Sequence, residues 1–157
     1  MIEHTLHIGD VVTSGASVLY SCFGLGSCIG LFIHDRTNTL SAGAHILLPE
    51  NEQGPTNDQS KYYNVTTAIQ QILVQLKSRG SSLESLRAKI TGGANVLQVD
   101  TFTGSRNIES VIRQLTENKI YIAASDVGGI YSRTAKFESA TGLLTVRMPE
   151  LNAYKIF

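Results

Sequence analysis

Cys28 and His45 are the two residues of this chain whose types and spacing suit covalent acyl chemistry. A thiol attacks a carbonyl carbon readily once an imidazole takes its proton, and Cys–His is the smallest pair that does so. Cys28 directly follows Gly24-Leu25-Gly26-Ser27. Two glycines give such a turn backbone angles closed to other residues, so that successive N–H groups are aimed into one concavity. A tetrahedral oxyanion would be held there by the backbone N–H groups of Ser27 and Cys28. The same surroundings are expected to favour thiolate over thiol. His45 stands 17 residues further on (45 − 28), in the run 39–48. As a strand, that run puts Gly43, His45 and Leu47 on one face, and Ala42, Gly43 and Ala44 leave room around the imidazole. A lone cysteine in an apolar stretch is usually a small core residue. Its pairing with a histidine on a neighbouring strand is what favours chemistry.

The elements that must position this pair are legible as patterns. Residues 17–23 read as a strand leading into the glycine turn, 28–34 as a second and largely buried strand, and 39–48 as a third, ending before Pro49. Residues 50–60 form the most polar stretch and are expected to be a surface loop, flanking the site. Tyr62, Val65, Ile69, Ile72, Leu73 and Leu76 recur at helical spacing, with Ser60 or Asp58 as cap and Gly80 as terminator. A short helical piece near 82–87 precedes a strand over 88–91. A second helix carries Ile108, Val111, Ile112 and Leu115 as its buried stripe, with Asn107 or Ser105 as a simple cap. Residues 119–125 make a further strand, and 133–138 with 143–148 a hairpin about Thr141-Gly142. Interleaved helices and hairpins predict an α+β fold: one domain over residues 1–157, with mixed and antiparallel sheets packed by outer helices.

Bulk properties narrow the function. The chain has 157 residues, 42% hydrophobic and 17% charged, which suits a single core. Formal net charge is zero, so no nucleic-acid partner is expected. No apolar run approaches a membrane span, and the N-terminus lacks a basic start before an apolar block. A cytoplasmic protein without direct membrane insertion, with Cys22 and Cys28 as free thiols, is the expectation. His4, His7 and His34 show no regular ligand spacing with the cysteines, so no metal and no cofactor are expected. Gly92-Gly93-Ala94-Asn95 lacks the lysine and serine of a phosphate loop and reads as a tight turn. Asp126-Val127-Gly128-Gly129 reads as a structural turn, leaving Asp126 outside the catalytic set.

Taken together, Gly24-Leu25-Gly26-Ser27-Cys28 and Gly43-Ala44-His45-Ile46-Leu47-Leu48-Pro49 resemble the CheD chemoreceptor glutamine deamidases. The resemblance continues through Ile90-Thr91-Gly92-Gly93-Ala94-Asn95, Ser105-Arg106-Asn107-Ile108 and Asp126-Val127-Gly128-Gly129, in the family's order. It implies a cysteine-hydrolase fold shared with certain glutamine-deamidating toxins. The implied substrates are glutamines on the helical cytoplasmic domains of chemotaxis receptors, and a CheC-like phosphatase is an implied partner. It also implies a triad whose third member, six residues before the cysteine, is a threonine. Here that position is Cys22. A thiol is a weaker hydrogen-bond partner than a hydroxyl. Either Cys22 suffices, through its side chain or its carbonyl, or Ser21 takes the role, or activity is reduced. Ser21 is expected on the opposite strand face. A non-catalytic adaptor for the phosphatase is the alternative function.

Overall fold

The runs 28–34 and 39–48 are apolar at nearly every position, so strands formed from them need a packed layer on each face. A computed structural model describes residues 1–157 and supplies both layers. One sheet has the order β1-β3-β8-β9-β10, from Ile2–Thr5, Val18–Leu25, Arg133–Glu138, Leu143–Met148 and Ala153–Ile156. The second has the order β2-β5-β4-β6-β7, from Val11–Ser14, Ser41–Ile46, Ile29–Asp35, Leu86–Gly92 and Tyr121–Val127. Helices α1 (Val65–Ser78) and α2 (Thr103–Glu117) cover the outer face of the second sheet. Each sheet is mixed: β1 lies parallel to β3 and β6 parallel to β7, while the other pairs are antiparallel. The whole is one α+β domain, as the patterns predict.

Alternation along β4 and β5 divides the interior into two cores. Ile29, Leu31 and Ile33, with Ala42, Ala44 and Ile46, face the helices and meet Val65, Ile69, Ile72 and Leu76 of α1. Each of the larger aliphatic side chains contributes about 1.5–3 kcal/mol by leaving water. Cys28 and Phe32 face the first sheet, where Tyr20, Cys22, Leu25 and Phe137 enclose them.

Several boundaries differ from the sequence expectation. Helix α1 begins later, capped by the Asn64 side chain, which accepts from Thr67 N, and Tyr62 packs just outside it. Gly80 ends it in a left-handed conformation (φ +106°), as expected. Helix α2 is not capped by Ser105 or Asn107; both lie inside it, and Phe102 stands at the cap position. Its buried face holds Asn107, Ser110, Val111 and Leu115, whereas Ile112 is 38% exposed. An apolar spacing rule cannot register buried polar positions, so it turned the stripe toward Ile112. Strands β1, β2 and β10 had no clear pattern. They are short and largely outside the core, so alternation is weak there. The hairpin β8–β9 falls where predicted, with Gly142 at φ +72°.

Candidate functional site

Cys28 is the last residue before β4, and His45 the penultimate residue of β5. Their antiparallel register pairs Gly30 with His45 and Ile29 with Ile46. Cys28 therefore lies on the same face as Gly30, diagonal to the histidine, while the one side-chain hydrogen bond of the imidazole goes to Leu6 O and not to the sulfur. Gly30, directly opposite the imidazole, has no side chain to intervene. Both residues are nearly enclosed, Cys28 at 8% exposure and His45 at 5%.

His45 is held firmly. Its Nδ1 lies 3.0 Å from the carbonyl oxygen of Leu6. A carbonyl only accepts, so Nδ1 carries the proton and donates, which leaves Nε2 as the basic nitrogen. Its backbone is tied as well: His45 N donates to Asp10 O, and Gly9 N donates to His45 O. Sequence reasoning missed Leu6, because a main-chain acceptor leaves no trace in residue type. No hydrogen bond joins Cys22 to His45. Cys22 is fully buried on the inward face of β3, in the same cluster as Cys28. Ser21 points the other way, donating to Glu3 Oε1 at 2.6 Å.

The turn before the cysteine is shaped by a β-bulge between Cys22 and Leu25, where Gly24 adopts φ +62°. Only that glycine of the pair uses the left-handed region. Each carbonyl of the segment 26–28 is occupied. Gly26 O accepts from Ala94 N, Ser27 O from Asn107 Nδ2, and Cys28 O from Gly93 N. No protein acceptor meets the N–H of Ser27 or of Cys28. The loop that supplies these donors needs its glycines. Gly92 has φ +107°, and a Cβ there would lie 2.1 Å from Cys28 O. Arg133, buried and paired with Asp126 at 3.2 Å, donates to Gly92 O and Gly128 O and braces the same loop. Asp126 thus has a structural partner in Arg133.

Burial sets the resting protonation states. It pushes the Cys28 thiol up to about 11 and the Cys22 thiol higher still. Burial also holds His45 below the ordinary histidine value, although the Leu6 carbonyl and Asp10 oppose the shift. The expected preference for thiolate is therefore corrected: with no cation beside the sulfur, desolvation of the anion prevails and the resting pair is thiol and neutral imidazole.

A cavity of about 400 Å³ flanks the turn, lined by Gly26, Ser27, Asn95, Val99 and Phe102 among others. A larger hollow of about 500 Å³ lies between the segment 49–52 and α2, and no residue of the glycine turn lines it. There the polar stretch after Pro49 is tied down by Glu52 to Arg106 and Glu50 to Arg113.

The family model described as CheD chemotactic sensory transduction matches residues 47–148. The chain belongs to the CheD family. A protein of Oceanobacillus iheyensis named "Probable chemoreceptor glutamine deamidase CheD" is 40% identical over 129 residues, 79% of this chain and 78% of its own. The chemoreceptor glutamine deamidase CheD of Thermotoga maritima is 36% identical over 147 residues, 93% of this chain and 92% of its own. That of Halalkalibacterium halodurans is 35% identical over 129 residues. The family model's match begins after Cys28 and His45, so the site rests on their own geometry. No helix of this CheD-family chain is long and apolar enough to cross a membrane.

Proposed function

We propose that this protein hydrolyses glutamine side-chain amides of chemoreceptors to glutamate, with Cys28 as nucleophile and His45 as general base. The observation that carries the reading is a cysteine and a histidine on one face of adjacent strands, beside two unpaired N–H groups. His45 Nε2 takes the thiol proton as sulfur attacks the amide carbon, so charge separates only during attack. The oxyanion of the tetrahedral adduct accepts from Ser27 N and Cys28 N. Protonated His45 gives its proton to the leaving nitrogen, the C–N bond breaks, and ammonia departs from a thioester. Water, deprotonated by the same nitrogen, attacks the thioester; the C–S bond breaks, the thiol regains its proton and glutamate leaves. The cysteine-hydrolase fold shared with deamidating toxins and a cytoplasmic setting belong to this reading.

Cys22 favours a second reading. Fully buried where the family resemblance implies a threonine, it leaves room for a non-catalytic adaptor that binds a CheC-like phosphatase. One experiment separates them. Receptor cytoplasmic fragments incubated with the protein gain about one mass unit per converted glutamine, from the exchange of nitrogen for oxygen in acyl transfer. Cys28→Ala abolishes that gain. Unmodified receptor with the wild-type protein, together with stimulated phosphatase, would instead favour the adaptor.

A further inference from the structure

Asn107 is fully buried on the inner face of α2, a position where an apolar side chain would be the ordinary occupant. Its Nδ2 donates to Ser27 O at 2.9 Å and to Leu47 O at 3.0 Å, while its Oδ1 has no protein partner. An unpaired buried acceptor is unfavourable, so the two donated bonds are what this residue contributes. Both acceptors adjoin the proposed chemistry. Ser27 O belongs to the same planar peptide unit as Cys28 N–H. In a trans peptide those two groups point in opposite directions, so fixing the carbonyl fixes the aim of the N–H. Leu47 O lies two residues beyond His45 and ties the amide to the strand carrying the base.

We infer that Asn107 is a positioning residue for deamidation: it holds the Ser27–Cys28 peptide plane so that Cys28 N–H meets the oxyanion of the adduct. The inference rests on the proposed hydrolase reading. It concerns the donor aimed at oxygen and not the sulfur itself, and that distinction gives the test. Alkylation of a thiol by iodoacetamide proceeds by displacement at carbon and forms no oxyanion; deamidation does.

In N107L, kcat for glutamine deamidation of receptor fragments falls at least about tenfold, part of what a lost oxyanion donor takes away. KM and the rate of Cys28 alkylation stay within about twofold, because binding and the nucleophile are untouched. If N107L does not fold, N107A, which removes the amide donors without adding bulk or charge, reads the same split. Ser110→Ala is the structural control. It removes the hydrogen bond from Glu50 N to another buried polar residue of α2, and leaves both rates unchanged. Wild-type kcat in the Asn107 variant, or parallel loss of kcat and alkylation, overturns the inference. Full deamidation by Cys28→Ala overturns the hydrolase reading itself, so the two failures are distinct.

Discussion

Strands β4 and β5 each serve two cores, and the two differ in kind. On the helix side stand Ile29, Leu31, Ile33, Ala42, Ala44 and Ile46, all aliphatic and nearly or fully enclosed. Facing the other sheet are Cys28, Gly30, Phe32, Ser41, Gly43 and His45. Here the same two strands carry a thiol, an imidazole, a hydroxyl bonded to Tyr20 at 2.8 Å, and two glycines. Alternation makes this division possible: one register gives an aliphatic layer on one face and the candidate Cys28–His45 pair on the other. A rigid aliphatic layer behind the strands holds the chemical layer in place.

The comparison is tested most severely by exchanging the two kinds of damage. Cys28→Ala is expected to remove all ammonia release while lowering stability by less than about 1.5 kcal/mol, since it deletes one small buried atom. Leu31→Ala, three residues along on the helix side, should do the reverse. Stability falls by about 2–5 kcal/mol in urea titration, while kcat of the folded fraction holds. A Cys28→Ala protein that unfolds, or a folded Leu31→Ala protein that is inactive, would erase the distinction.

Gly43→Ala sharpens it. A Cβ there would lie 2.8 Å from the Tyr20 ring and 2.9 Å from Leu6 Cδ1, between the sheets. Overpacking of this kind costs about 1–3 kcal/mol. Because Leu6 also holds His45 Nδ1, kcat should fall together with stability, unlike either single-sided change.

His45, together with His34, which lies opposite Ser41 on the same face and packs against Phe137, sets a pH signature. His45 and His34 are both held below the ordinary value of 6.5, chiefly by burial. A depressed histidine contributes its full stability above 6.5 and loses it as pH falls toward the folded value. The acid limb of kcat/KM is therefore expected below 6.5, where the free base His45 begins to be protonated. The buried thiol, near 11, keeps the alkaline limb far away. A pH–rate profile with its acid limb above 6.5 would contradict this assignment.

The smallest effect concerns Cys22. Cys22→Thr should match or exceed wild-type kcat, whereas Cys22→Val, of the same shape without the hydroxyl, should not. Equal rates for the two would mean that Leu6 O alone orients the imidazole.

How much of this could be read beforehand varied with the type of interaction. Strand patterns put Cys28 and His45 on neighbouring strands, the β4–β5 register then put them on one face, and helical spacing found α1. The fragment Thr141-Gly142 marked its hairpin because a left-handed turn selects glycine. What escaped were Leu6, Asn107 and Ser110. Leu6 acts through its carbonyl, which every residue possesses, and Asn107 resembled a helix cap because asparagine is a preferred cap residue and a rare one inside a buried helix face.

Residue order alone singled out Cys28 and His45 as the candidate pair and pointed to the family, since these depend on short motifs and on which side chains carry sulfur or nitrogen. Tertiary structure decided which main-chain groups meet them: a carbonyl from residue 6 on the imidazole, and an amide from residue 107 behind the sulfur's peptide. Contacts across such distances in the chain arise from packing three layers together, and burial within those layers set both protonation states.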